Sequence, residues 1–226
     1  MSALPEAPSG FLLVDKPVGP TSHDVVDAAR RALRTRKIGH AGTLDPFASG
    51  LLILAVGAKT KEISQFVGLD KAYEATLRLG AASDTMDRTG VITEHKDCSA
   101  VSRETFEKSL EGFRGGIDQV PPMYSAKKVG GKKLYELARA GETIERKPVR
   151  VTIHALELVE YAWPIAKIRT RVSSGTYIRA LADDIGKALG CGAYLEDLRR
   201  TEIGPYKVGD GVKPADIALT ALRASL

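Results

Sequence analysis

The chain has 226 residues, 43% of them hydrophobic and 27% charged, with a formal net charge of +5. That length fits one large domain, or one domain with an insertion, and can bury most of the surface that the unfolded chain exposes. Two cysteines, Cys98 and Cys191, exclude a disulfide-stapled scaffold and form no metal-ligand pattern; both read as buried or half-buried thiols in a reducing compartment. Residues 1–9 are rich in Pro, Ala and Ser and lack a basic stretch leading into an apolar one, so they read as a short loose tail rather than a signal peptide. The apolar run Gly50 to Gly57 is too short to span a bilayer. A cytoplasmic protein that makes no use of a membrane is expected, and its mild basicity is compatible with a nucleic-acid partner.

Along the chain, Phe11 to Val14 is an apolar strand stopped by the rigid turn Lys16-Pro-Val-Gly-Pro20. Ser22 is expected to cap a helix in which Val25, Val26, Ala29 and Leu33 recur at helical spacing, with Arg30, Arg31 and Arg34 on the opposite face. Gly39 to Gly42 breaks the periodicity and reads as a loop, and Leu51 to Val56 as a strand. Tyr73, Ala75, Leu77 and Leu79 alternate with polar residues in a half-buried strand ended by Gly80. A loop from Ser83 to Gly90 leads to a strand near Val91, then to a helix from Arg103 to Phe113 capped by Ser102. Val151 to Tyr161 and Ile165 to Val172 are strands. A helix over Tyr177 to Leu189 is closed by Gly190 and Gly192, and shorter helices are expected at Ala193 to Leu198 and Pro214 to Leu222. The alternation lacks regular βα repeats, so the fold class is α+β: a large mixed, mainly antiparallel sheet flanked by helices.

Residues 124–150 stand apart. Lys127, Lys128, Lys132, Lys133, Arg139, Arg146, Lys147 and Arg150 face only Glu136, Glu142 and Glu145, so this segment carries a net +5, equal to the whole chain. It holds a short helix from Lys133 to Ala140 between glycine joints at Gly130-Gly131 and Gly141. It reads either as a solvated excursion or as a basic arm that closes on phosphates, and the clustering of charge between flexible joints favours the arm.

Asp45 is the only carboxylate between Arg36 and Lys61. It lies in Gly39-His-Ala-Gly-Thr-Leu-Asp-Pro46, downstream of a basic helix end. An acid in such company suits a reacting group presented to a polyanion, although Asp-Pro also suits a cap before a proline at the first helical position. His40 is exposed by glycine-containing turns; with His23, His95 and His154 scattered and no paired acids, no metal site is expected. The chain has neither a phosphate-binding loop nor a dinucleotide fingerprint. In Val172 to Gly186 a strand ends in a glycine turn and a helix begins. Arg179 then falls in the first turn, where the helix dipole disfavours a cation unless a carboxylate or phosphate is near. Asp183 could serve across one helical turn.

Five ordered segments closely resemble the TruB family of tRNA pseudouridine synthases. They are Asp15 to Ser22; Gly39 to Pro46 with Gly50, Leu51, Gly57, Thr60 and Lys61; Lys71-Ala-Tyr73 with Gly80 and Ser83 to Asp87; Pro121 to Lys127 with Gly131, Lys132 and Tyr135; and Ser174 to Arg179. Tyr194 to Thr201 also fits. The resemblance implies a pseudouridine synthase fold over residues 10–226, with 124–150 as a thumb-like RNA-clamping insertion and without the additional C-terminal RNA-binding domain that bacterial members commonly carry. It implies isomerisation of the T-loop uridine of tRNA, by cleavage of N1–C1′ and formation of C5–C1′ after the base is flipped out, with no cofactor and no metal. Asp45 is then the catalytic aspartate, Tyr73 packs on the base, Arg179 pairs with Asp45, Leu198 lines the pocket, and His40 fills the space the base leaves. Lys16, Asp87 and Tyr177 are supporting residues, and Lys127, Lys128, Lys132, Lys133, Arg139, Arg146 and Lys147 form the RNA-binding arm. The implied partner is the T-arm stem-loop, bound by a monomer without guide RNA. A non-catalytic RNA binder and a glycosidase-like hydrolase are the competing classes. The first would need neither Asp45 nor Arg179, and the second wants a pair of acids that is not evident.

Overall fold

A computed structural model describes residues 8–94, 100–125 and 127–226, with the backbone alone at Lys128, Val129 and Lys133. His95, Cys98 and the first seven residues of the expected tail lie outside the described residues. In chain order the elements begin with β1 (Gly10–Lys16), α1 (Ser22–Ala32), β2 (Ile38–His40), β3 (Ser49–Val56) and α2 (Ser64–Val67). Next come β4 (Lys71–Leu79), β5 (Ala81–Ser83), β6 (Ile92–Glu94), α3 (Arg103–Ser109) and β7 (Gly115–Gln119). The hairpin strands β8 (Lys128–Val129) and β9 (Lys132–Lys133) precede α4 (Leu134–Arg139). The chain closes with β10 (Val149–Ala162), β11 (Ile165–Val172), α5 (Ile178–Ala188), β12 (Ala193–Ile203) and β13 (Tyr206–Lys207). The class is the expected α+β, with mainly antiparallel pairing.

The chain divides into two compact units, one formed by residues up to Ala72 and from Arg199 on, the other by Tyr73–Leu198. In the first, β1 runs antiparallel to β3 from Gly10↔Val56 to Lys16↔Gly50, and β12 runs parallel to β3 at Arg199↔Ser49 and Arg200↔Gly50. Leu12, Val14, Leu52, Leu54 and Val56 pack on Val25, Val26 and Ala29 of α1 and on Leu33 at its C-terminal end. The intervening Phe11, Leu13, Leu51, Ile53 and Ala55 pack on Phe66 of α2 and on Ile203. A strand covered on both faces must be apolar at every position, which is why Leu51 to Val56 reads as an unbroken apolar run.

In the second unit the strand order is β12-β4-β11-β10-β7, with antiparallel pairing of β10 to β11 and to β7. Ile178, Leu181, Ala182 and Ile185 of α5 are buried as their spacing requires. Tyr177 is the N-cap but makes no side-chain capping bond. Instead Gln119 of β7 brackets its backbone, accepting from Tyr177 N at 2.8 Å and donating to Tyr177 O at 3.0 Å.

Four local expectations are corrected. Thr21, not Ser22, caps α1, because only a cap at 21 places an acid at the third helical position. Thr21 Oγ1 accepts from Asp24 N (3.0 Å), and Asp24 Oδ2 accepts from Thr21 N (2.7 Å). From Ser22 the same position would be Val25, which cannot reciprocate. Gly39 to Gly42 is not all loop: Ile38–His40 adds a short strand to β3, and the turn begins only at Ala41. Residues 193–198 belong to a strand, since Ala193, Tyr194 and Leu195 are all buried and an apolar run covered on both sides carries no period to tell strand from helix. The expected helix over 214–222 is two 3₁₀ turns, Pro214–Asp216 and Leu219–Ala221, separated by extended backbone at Ile217 and Ala218. The expected helix at Arg103 is capped by Ser102 as anticipated and passes into a 3₁₀ turn at Leu110–Phe113.

Candidate functional site

In the first unit, the segment between β2 and β3 carries Asp45. Asp45 O accepts from Ala48 N at 3.1 Å, so Pro46 and Phe47 form the bend of a tight turn that feeds β3. No helix follows, so the capping reading of Asp-Pro is not realised. The segment is pinned on both sides of the carboxylate. Before it, Ser22 Oγ accepts from Leu44 N at 2.8 Å and donates to Leu44 O at 3.1 Å. After it, Pro46 O accepts from Gly19 N at 2.8 Å. Asp45 itself is half-buried. The turn Lys16 to Pro20 and Ser22, the first residue of α1, thus serve to hold the Asp45 backbone.

Lys16 is fully buried, with Nζ donating to Pro20 O (2.8 Å), Pro17 O (2.9 Å) and Pro46 O (3.5 Å). Burial lowers its pKa to about 8; the Asp45 charge pulls it back up and Arg200 pushes it down. Lys16 is therefore within electrostatic reach of Asp45. His40 is half-buried, and burial first and Arg200 second hold its pKa below the ordinary imidazole value, with the Gly42 backbone acting the other way. Its Nδ1 makes no well-formed hydrogen bond among the described residues.

In the second unit, Arg179 on the first turn of α5 meets Asp87, Nη1 to Oδ2 at 3.3 Å, with both side chains nearly closed to solvent. Arg179 also donates to Thr85 O (3.0 Å) and Tyr124 O (2.7 Å), while Asp87 Oδ1 accepts from Thr89 N and Thr85 Oγ1, both at 2.9 Å. The unfavourable place of a cation in a first helical turn is thus offset by a buried carboxylate and two carbonyls. Asp183, the local alternative, takes Lys187 instead at 2.6 Å. Tyr73 on β4 and Leu198 on β12 are buried, and Tyr177 is half-buried.

The basic segment, also in this unit, is a β8–β9 hairpin turned by Gly130 and Gly131 at φ +59° and +85°, followed by α4, which anchors through buried Leu134 and Leu137. Lys132, Arg139 and Lys147 are exposed and Lys127 is half-buried. Arg139 lies over the Tyr135 ring at 5.5 Å. Arg146 is half-buried and donates to Pro121 O at 3.1 Å, and Arg150 pairs with Asp118 at 3.4 Å, so these two are partly engaged with the protein itself. The side chains of Lys128 and Lys133 lie outside the described residues. Two contributors escaped the sequence reading: Gln119, which fixes Tyr177, and Arg200, whose charge acts on Lys16 and His40. Among the described residues no group of His, Cys, Asp or Glu is placed to hold a metal ion, and no helix is long and apolar enough to cross a membrane.

Residues 30–178 match the family model described as TruB family pseudouridylate synthase (N terminal domain). The chain belongs to the TruB family of pseudouridylate synthases. Residues 179–224 match the model described as tRNA pseudouridylate synthase B C-terminal domain, so the two matches meet at Ile178 and Arg179, at the start of α5. Named relatives include tRNA pseudouridine synthase B of Azoarcus sp. (strain BH72), 53% identical over 96% of this chain and 70% of the relative. That of Burkholderia mallei (strain NCTC 10247) is 51% identical over 90% of this chain and 67% of the relative. Among solved structures, a Cbf5-Nop10-Gar1 complex matches with 30% identity and a TM-score of 0.73, over 92% of this chain and 53% of that chain. An H/ACA RNP bound to a substrate RNA containing 2′-deoxyuridine matches with 28% identity and a TM-score of 0.69, over 92% and 51%. This TruB family chain therefore spans about half the length of the solved chains it matches.

Proposed function

We propose that this chain converts a uridine in the T-loop of tRNA to pseudouridine, with Asp45 as the reacting carboxylate. The observation that carries the reading is the Asp45 turn, held at Leu44 and Pro46 on either side of a half-buried acid, in a chain of the TruB family. The relatives' name supplies tRNA as the substrate class. The reaction breaks N1–C1′, turns the base and joins C5 to C1′; the C5 proton is lost and N1 gains one, so the balance closes without an oxidant or an external group. The carboxylate can attack C1′, attack C6 or take the 2′ proton, and a turn that fixes its direction serves all three.

The remaining roles follow the resemblance residue by residue. Tyr73 stacks on the extruded base, Leu198 supplies an apolar wall, and Arg179 orients the carboxylate chemistry with its own direction fixed by Asp87. Tyr177, bracketed by Gln119, sets the start of the helix that carries Arg179. A neutral His40, favoured by its burial and by Arg200, can enter the stack vacated by the uridine at a lower desolvation cost than an imidazolium. Lys127, Lys132, Arg139 and Lys147, with Lys128, Lys133 and Arg146 of the same segment, contact phosphates of the T-arm, and pairing with a guide RNA is not needed.

The test is tritium release from C5-labelled unmodified tRNA, with no other RNA present, by the wild type and by Asp45→Asn. Release by the wild type alone, mapped to one T-loop uridine, is expected, with Asp45→Asn still binding tRNA. Turnover only after a guide RNA is added would favour the activity implied by the H/ACA RNP neighbours, and turnover by Asp45→Asn would remove Asp45 from the chemistry.

A further inference from the structure

Arg200 is 2% exposed and one of the largest fully buried side chains of the protein. Among the described residues no carboxylate pairs with it. Its planar fork donates instead to three carbonyls: Nε to Leu51 O at 2.8 Å, Nη2 to Gly42 O at 3.1 Å, and Nη1 to Thr43 O at 3.5 Å. Leu51 belongs to β3, while Gly42 and Thr43 lie three and two residues ahead of Asp45 on the segment entering its turn. One guanidinium therefore ties the floor of the sheet to the approach of the Asp45 turn.

The backbone is built to bring it there. Arg200 lies opposite Gly50 in the parallel β12–β3 pair, and Gly50 has φ +108°. A Cβ on Gly50 would sit 2.2 Å from Arg200 O and 2.7 Å from Arg200 N, so only glycine lets the two strands approach this closely. Gly42, at φ +91°, turns its carbonyl down onto the fork. Ser22 holds Leu44 and Gly19 holds Pro46, which leaves the entry at residues 42 and 43 to Arg200.

We infer that Arg200 is a positioning residue for this site, setting the Gly42 and Thr43 carbonyls and through them the direction in which the Asp45 carboxylate is presented. The inference rests on the reading of Asp45 as the reacting group. A lysine could reach only one or two of these acceptors and could not hold them in a plane, so the role is specific to a guanidinium.

Arg200→Ala tests it through chemical rescue. Misplacing a catalytic group by about 1 Å costs about a hundredfold, so the single-turnover rate of tritium release should fall by about that factor while tRNA affinity stays within about twofold. Guanidinium ion at sub-denaturing concentration should restore part of the rate, whereas equal NaCl or ammonium should not. The His40 pKa, read from imidazole NMR shifts, should rise once the neighbouring charge is gone. A wild-type rate in the variant, a loss confined to affinity, or a rate that guanidinium and NaCl change alike would overturn the inference. If Arg200→Ala does not fold, Arg200→Lys, which keeps the charge, should lose rate while leaving the His40 pKa near its wild-type value; full activity there would overturn it equally. Should the wild type release no tritium, the reading of Asp45 fails. Amide exchange at Leu44, whose N–H is held by Ser22 Oγ, still decides whether Arg200 orders the segment: faster exchange in the variant supports that ordering and unchanged protection refutes it.

Discussion

Replacing Lys16 by Met removes a buried charge from beneath the Asp45 turn and leaves a chain of similar length. The ammonium is fully enclosed, and its pKa is lowered from 10.5 to about 8, chiefly by burial. At about 1.4 kcal/mol per pH unit that gap amounts to about 3 kcal/mol of cost to the folded state. The cost is complete below pH 8, where folded and unfolded lysine are both protonated. Between pH 8 and 10.5 the folded protein gives up the proton while the unfolded chain keeps it, so the unfolded state binds more protons and stability rises with pH. Integrating that difference for the two pKa values predicts that the wild type gains about 2 kcal/mol over Lys16→Met between pH 8 and pH 10. At neutral pH the variant escapes the burial cost but leaves the Pro17, Pro20 and Pro46 carbonyls without this donor, each at about 1–3 kcal/mol where no water replaces it. That loss does not titrate, so it shifts the variant's curve without tilting it. Urea unfolding of both proteins at several pH values separates the two effects. Parallel pH profiles, or a wild type that loses stability relative to the variant above pH 8, would refute the reasoning.

Asp87→Asn leaves the Arg179 guanidinium buried without its carboxylate and should destabilise the protein by about 3–5 kcal/mol in urea unfolding; a change below about 1 kcal/mol would mean that Thr85 O and Tyr124 O suffice. Neutralising Lys132, Arg139 and Lys147 together should flatten the dependence of log affinity on log salt by about 0.7 to 0.9 for each phosphate that the arm no longer neutralises. An unchanged slope in filter-binding titrations would take the arm out of the RNA interface.

Where each segment's apolar spacing had one interpretation, the fold was legible. β4 alternates, α1 and α5 keep a helical stripe, and each formed where the pattern put it. The Asp45 segment was legible through its composition, a lone acid between glycines, and Arg179 through its awkward place in a first helical turn, which its contacts with Asp87, Thr85 and Tyr124 now explain. The cap of α1 was misplaced by one residue because Ser22 is a good capping residue by type, whereas the choice depends on which neighbour can answer from the third helical position. Thr21 has Asp24 there, and Ser22 is thereby released to hold Leu44.

The misreading of 193–198 as helix had the larger consequence. A helix ending at Leu198 would leave Arg199 and Arg200 just past its end, with nothing to assign them to opposite faces. As a strand, the same residues alternate, and the two arginines part: Arg199 is partly exposed and forms a two-pronged pair with Asp15, at 2.8 and 3.0 Å, while Arg200 turns into the core. A charge pointing inward must find acceptors, and here these are backbone carbonyls. They belong to Leu51 within β3 and to Gly42 and Thr43 at the entry to the Asp45 turn. Gly50 was visible in the sequence as one more glycine of a glycine-rich region. Its meaning, the close approach that admits Arg200, exists only once residue 200 is known to lie on the strand beside it.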